Sequence, residues 1–159
     1  MQPRFAIIPN HEHKAFIPYK GVFSDAPNAS QNAVVKARVV SLQPTQLTLD
    51  REWQGSRQIP FDFLVAATGT RLQAPGTMKD DEKPPSVEYF KGHQQAVKNA
   101  QSILIIGGGA VGVQMACDLK EVYPEKEITL VHSRDHLMPV YHEKLSSIIK
   151  DRFNELGVK

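Results

Sequence analysis

Cysteine is almost missing from this chain: Cys117 is the only one in 159 residues. A lone thiol excludes an internal disulfide, and the want of a C-x-x-C or C-x4-C pair in this sequence argues against a disulfide reductase mechanism. Cys117 falls in a helical pattern and reads as a small buried hydrophobe rather than a reactive group. Long hydrophobic runs are also missing. No apolar stretch approaches the roughly 20 residues that span a bilayer, and the opening Met1-Gln2-Pro3-Arg4-Phe5 has no secretory hydrophobic region. Charge of one sign is scarce, since 19 basic and 17 acidic residues are interspersed and sum to +2. That balance gives no general electrostatic case for nucleic acid as a partner. Neither an internal repeat nor a low-complexity tract is present. His11 and His13 form an H-x-H pair with no third ligand nearby, so that segment reads as a solvated loop and no metal is assigned. No acid–base pair or nucleophile emerges, and no catalytic residue is assigned. What remains is an ordinary globular composition, 41% hydrophobic, with room for one domain or two small ones.

The chain is organised around Ser102–Ser133. Ile103-Leu104-Ile105-Ile106 is a continuous apolar run, the pattern of a parallel strand covered on both faces. It leads directly into a G-x-G-x-x-G formed by Gly107, Gly109 and Gly112. An apolar helical pattern from Ala110 to Tyr123 follows, with Val111, Met115, Leu119 and Val122 on one face and Pro124 as its stop. Ile128–Val131 is the second strand. Strand, glycines, helix and strand in this order are the context that a dinucleotide-binding turn needs. Gly107 permits the tight turn, Gly109 leaves room for a pyrophosphate, and Gly112 lets the helix lie close to the strand. The helix start then offers N–H groups and a positive dipole end to phosphates. The alternative is a glycine-rich turn of another α/β unit that binds nothing.

Around this centre the chain reads as follows. Residues 1–32 are irregular, with Phe5-Ala6-Ile7-Ile8 as a short strand or helical turn. Val34–Leu42, Leu47-Thr48-Leu49 and Arg57-Gln58-Ile59, separated by turns at Pro44-Thr45 and Gly55-Ser56, predict a three-stranded antiparallel meander. Phe63–Ala67 predicts a further apolar strand ending in the small residues Ala67-Thr68-Gly69, where backbone can approach a ligand. A linker with Pro75, Gly76, Pro84 and Pro85 precedes a helix over Val87–Ala100. A last helix starts near Tyr141, with Gly157 as its left-handed cap and Val158 opening another strand.

Two stretches carry a family resemblance. They are Ile103-Leu104-Ile105-Ile106-Gly107-Gly108-Gly109-Ala110-Val111-Gly112-Val113 and Tyr123-Pro124-Glu125-Lys126-Glu127-Ile128-Thr129-Leu130-Val131-His132-Ser133, supported by the meander and Phe61–Gly69. The chain resembles the two-dinucleotide-binding flavoproteins of the pyridine nucleotide–disulfide oxidoreductase superfamily, in their apoptosis-inducing-factor-like and ferroptosis-suppressor-like branch. The resemblance implies an α/β, Rossmann-like fold in which an FAD domain is interrupted by an NAD(P)H domain. Residues 1–75 would be a partial FAD-binding domain with the meander, 76–100 a linker and helix, and 101–159 the first half of the NAD(P)H domain. It implies FAD contacts at Val39, Ala66, Ala67, Thr68 and Gly69. Gly107, Gly109, Ala110, Val111 and Gly112 would hold the nicotinamide cofactor's pyrophosphate.

The implied activity is transfer of electrons from NAD(P)H through flavin to a quinone-like acceptor. A nucleotide-responsive cell-death or signalling module without turnover is the alternative, and an inactive remnant is another. Two positions depart from the family pattern. Gln114 stands where many relatives have a glutamate near the nicotinamide. His132-Ser133-Arg134 stands where a strict NAD binder ends its strand in an acidic residue that grips the ribose. Arg134 is therefore either a 2′-phosphate ligand or a solvated charge. The family's first G-x-G-x-x-G and its later flavin-approaching Gly-Asp segment have no counterpart here, so the chain is expected to lack both ends of the enzyme and to bind FAD weakly alone. The expected location is cytoplasmic, with membrane association or mitochondria as alternatives, and oligomeric state is open.

Overall fold

In the computed structural model residues 2–70, 73–78 and 80–159 are described. The elements in chain order are α1 (Gln2–Phe5), β1 (Val39–Leu42), β2 (Gln46–Trp53), β3 (Ser56–Pro60), α2 (Lys83–Asn99), β4 (Ser102–Ile106), α3 (Ala110–Val122), β5 (Glu127–Val131) and α4 (Glu143–Leu156). They divide into two compact units: Pro18–Thr70, and Met1–Ile17 together with Arg71–Lys159. The first 17 residues thus pack with the glycine motif's unit, where the sequence expectation had grouped them with the meander.

The unit over Pro18–Thr70 is the expected antiparallel meander, ordered β1-β2-β3. Its second hairpin turns through Gln54 and Gly55, at φ of 52° and 83°. Two successive left-handed residues between paired Trp53 and Ser56 match the right-handed twist of a hairpin, and glycine takes that conformation without a Cβ penalty. Asp50 on β2 ties the first hairpin, accepting from the Arg38 N–H at 2.9 Å and from the Arg51 guanidinium. The Arg51 hydrogen bond, followed by the Arg38 N–H, holds the Asp50 carboxyl well below the usual carboxylate range. Two expectations are corrected here. The first strand begins at Val39 rather than Val34. Phe63–Ala67 forms no strand, and Phe63 and Val65 are 94% and 87% exposed. A strand requires a partner for its ladder, and among the described residues none pairs with this run.

In the other unit β4 and β5 pair in parallel over five residues, from Ser102–Glu127 to Ile106–Val131. The crossover between them runs through α3, as parallel neighbours require. Ile105, Ile128, Ala116, Leu119 and Phe153 form the core between sheet and helices, closed by Ile7, Leu137 and Val158. Val158 makes a parallel bridge to Ile128, so it does open a third strand position beside β5. Gly157 caps α4 at φ 71°, with the Val158 N–H donating to the Phe153 carbonyl at 2.9 Å. The apolar run of β4 had predicted cover on both faces. Instead Leu104 and Ile106 are 60% and 84% exposed, because the helices packed on this sheet lie on the side of Ile105.

Helix α2 starts four residues before its expected position. Pro84 and Pro85 lie in its first turn, where an N–H has no intrahelical partner to lose. Its buried stripe, Ser86, Phe90 and Gln94, faces the N-terminal segment: Phe90 lies against Phe16 at 5.6 Å and Phe5 at 6.4 Å between ring centroids. The start of the stretch expected to be irregular is therefore docked, with Pro3, Ala6, Ile7 and Glu12 buried. The loop Tyr123–Glu127 is held by two lysines. Lys120 Nζ donates to the carbonyls of Pro124 and Lys126, and Lys126, itself buried, donates to those of Lys98 and Ala100.

Candidate functional site: a glycine cradle at the sheet edge

The site is the turn between β4 and α3. The Gly107 N–H donates to the Val131 carbonyl at 2.8 Å, which extends the β4–β5 ladder into the loop. Gly107 itself sits at φ +116°, a region that L side chains rarely adopt, so the chain reverses here only on glycine. Gly112 has the second steric requirement. A Cβ on it would lie 1.9 Å from the Gly107 carbonyl oxygen and 3.4 Å from Ile105 Cγ2, so helix and strand approach through the missing side chain. Gly109 is the N-cap of α3, and no side chain caps the first turn. A Cβ at Gly109 would meet nothing within 4 Å, which leaves open space over the helix start. The first-turn N–H groups have no intrahelical acceptor, and their partial positive charge suits an anion.

Gly108, the variable position of the motif, is buried and has both backbone groups engaged. Its N–H donates to Nδ1 of His132 at 3.1 Å, and its carbonyl accepts from the Met138 N–H at 2.8 Å. A Cβ at Gly108 would fall 2.4 Å from Leu137 Cδ2 and 2.8 Å from the His132 ring. His132 therefore turns its ring back beneath the loop. Its other nitrogen, Nε2, is buried without a hydrogen-bond partner. Sequence reading placed His132 at the end of β5 but had no signal for this contact, which depends on the register of β4 against β5.

The remaining positions are placed as follows. Ala110 and Val111 are exposed in the first turn of α3. Gln114 is half-buried, and its amide donates to Asp118 at 3.5 Å, one turn along the same helix. Ser133 and Arg134 are exposed beyond the end of β5. Arg134 and His132 line a recess of about 400 Å³ with Asp135, Lys150, Asn154 and Lys159. In the meander unit Val39 pairs with Leu49 and is exposed, and Ala66, Ala67, Thr68 and Gly69 form an exposed loop with Gly69 at φ +71°. Cys117, half-buried on α3, has its thiol pushed up by burial first and by Glu121 second, which keeps it protonated and unreactive. Among the described residues no helix is long and apolar enough to cross a membrane.

Comparison with known proteins agrees with this geometry. Residues 10–159 match the model of the pyridine nucleotide-disulphide oxidoreductase family. The chain is 34% identical over 99% of its length to Fe-regulated protein 8 of Mycosarcoma maydis, covering 44% of that protein. It is 31% identical over 90% of its length to ferroptosis suppressor protein 1 of Mus musculus, covering 35% of it. The chain thus spans less than half the length of these relatives. Among solved structures, a ferredoxin reductase from Rhodopseudomonas palustris aligns over the whole chain and 40% of its own, with a TM-score of 0.65 and 20% identity. A water-forming NADH oxidase from Lactobacillus brevis, solved with NADH bound, aligns over the whole chain and 37% of its own, with a TM-score of 0.60 and 18% identity. These two likenesses establish the fold.

Proposed function

We propose, on the premise that this chain belongs to the pyridine nucleotide-disulphide oxidoreductase family, that it forms the nicotinamide-binding start and part of the FAD domain of a flavin-dependent NAD(P)H oxidoreductase with a quinone-like acceptor. The observation that carries this reading is the contact between Gly112 and the Gly107 carbonyl, with open space over the first turn of α3. A turn that merely joined a strand to a helix would need neither.

In this reading the uncapped first-turn N–H groups of Ala110, Val111 and Gly112 hold the pyrophosphate, while Gly109 keeps the approach clear. Residues 101–159 belong to the NAD(P)H domain, the meander within 1–75 to the FAD domain, and 76–100 connect them. In the meander unit Ala66, Ala67, Thr68 and Gly69 present small, uncovered backbone to the flavin cofactor, and Val39 presents backbone to its adenine. When bound, NAD(P)H supplies a hydride and FAD accepts it. Gln114 contributes a neutral amide near the nicotinamide end, able to orient but not to bring charge. The quinone-like acceptor is supported by the likeness to ferroptosis suppressor proteins.

Rapid mixing of the purified protein bearing this chain with NADH, then with a water-soluble quinone, tests the proposal. Flavin absorbance should bleach with NADH and recover with the quinone. Protein that carries no flavin bands, or whose flavin stays oxidised under NADH, overturns the reading. Recovery with oxygen or a haem protein but with no quinone overturns the acceptor alone.

A further inference from the structure

The imidazole of His132 occupies the space beneath the glycine turn that a side chain at position 108 would otherwise fill. Two observations there are independent of the phosphate-facing side. Nδ1 accepts the Gly108 N–H at 3.1 Å, which puts the proton of the neutral ring on Nε2. Nε2 is buried with no partner, so this tautomer is kept at the expense of an unsatisfied donor. A ring that served only as packing would be replaced at no loss by an apolar one. The ring that is present exchanges a buried, unpaired N–H for one hydrogen bond to the turn that shapes the dinucleotide site.

We propose that His132 is a positioning residue for the dinucleotide, holding the glycine turn by accepting the Gly108 N–H at Nδ1. A side chain with no acceptor at that point cannot take the Gly108 N–H. Loss of that bond leaves the turn fixed by the Met138–Gly108 and Gly107–Val131 bonds alone. The charged groups that share the recess with His132 are Arg134 and Asp135 of its own loop, Lys150 of α4 and Lys159. The β4–α3 turn contributes only glycines. The shape of the phosphate-facing turn thus depends on a ring that packs on its opposite side.

This role rests on the dinucleotide reading of the same turn, and the experiment separates the two. NADH binding is followed by fluorescence at neutral pH in the intact protein, with His132→Asn and His132→Leu beside it. Asparagine Oδ1 sits where Nδ1 does and accepts from Gly108. His132→Leu keeps the packing but has no acceptor, and should bind NADH about three- to tenfold more weakly than the wild type, the worth of one hydrogen bond. His132→Asn should hold the wild-type affinity. A Leu variant that binds as tightly as the wild type, or an Asn variant as weak as Leu, overturns the role of His132. A wild type that binds no NADH overturns the dinucleotide reading as well. If the variants do not fold, ¹⁵N shifts of the wild-type ring decide: a neutral ring protonated on Nε2 supports the clip, and one protonated on Nδ1 overturns it.

Discussion

Arg4 places Nη1 3.0 Å from Oδ1 of Asp118, so the N-terminal segment is ion-paired to the buried side of α3. The Asp118 side chain is 5% exposed and that of Arg4 50%. Burial raises the Asp118 carboxyl above its ordinary value, and the pull of Arg4 and then of Gln114 does not cancel it. The sign follows from linkage. A carboxyl raised by folding favours the protonated state in the fold, so its contribution is fully present below the ordinary carboxylate range and is lost as pH rises through the raised value. Asp118→Asn should therefore stay within about 1 kcal/mol of wild type at pH 7, because removing the buried charge offsets the lost pair. Arg4→Met leaves the carboxylate buried and unpaired, and should destabilise more at pH 7 than at pH 4.5. Urea melts at the two pH values test both. Equal losses for Arg4→Met at both, or a loss of several kcal/mol for Asp118→Asn, would show that the pair stabilises outright.

Gln94 should hold the same segment from α2. Its Nε2 donates to the Phe5 carbonyl at 2.8 Å, the Ile8 carbonyl at 3.0 Å and Glu12 Oε2 at 3.1 Å. Gln94→Leu keeps the volume but strips those acceptors, one of them charged, at a cost of about 2–3 kcal/mol. The expected signature is local: limited proteolysis should cut within residues 2–17 while hydrogen exchange in β4 and β5 stays slow. Uniform acceleration across the sheet would instead mean that the segment is part of one cooperative unit.

The parallel sheet and the glycine turn were legible because their pattern is local and redundant. Four aliphatics, three spaced glycines and a 3.6-residue stripe each demand the same βαβ unit. Phe63–Ala67 shows where that reading runs out: an apolar pentad fits a strand, but pairing is supplied by another segment, and none is aligned with it among the described residues. The docking of residues 2–17 was hidden for the same reason. Pro3, Ala6 and Ile7 are too few to show a period, and their burial depends on Phe90 and α3, more than eighty residues away. Of the site, Gly107, Gly109 and Gly112 followed from spacing. The engagement of Gly108 by His132 required the register of two strands and a loop, which a sequence read in windows does not contain.

Gly112→Ala tests the cradle directly. Its Cβ would lie 1.9 Å from a backbone oxygen, and neither α3 nor the turn can give way without moving the other. Overpacking of this kind should cost about 3 kcal/mol and push the α3 start away from β4. By contrast, Gly109→Ala meets nothing within 4 Å in the protein and should leave thermal stability nearly unchanged. Its methyl group would instead occupy the pyrophosphate's path, so NADH affinity should fall at least tenfold. Calorimetry beside a binding titration separates the two effects. Gly109→Ala protein that binds NADH normally would place the phosphate elsewhere.

Cofactor choice should be set at the end of β5. The strand stops at Val131, and His132-Ser133-Arg134 offers no carboxylate to pair with the ribose hydroxyls. His132 is committed to Gly108, so Ser133 and Arg134 are the exposed groups left there. Asp135 follows, and its carbonyl is engaged by Lys150 Nζ at 3.3 Å. A carboxylate at the strand end would repel a 2′-phosphate, and without one that discrimination is removed. Arg134 then adds a charge-assisted bond available only to NADPH, worth roughly 1.5–3 kcal/mol. The protein should accept both cofactors, with NADPH at least comparable to NADH. Arg134→Ala should lower the ratio of kcat/KM for NADPH over NADH by about tenfold or more, and Ser133→Glu should lower it further by restoring the repulsion. Measured with both cofactors at one ionic strength, an unchanged ratio in Arg134→Ala would mean that this guanidinium stays in solvent and that selectivity is set by another group.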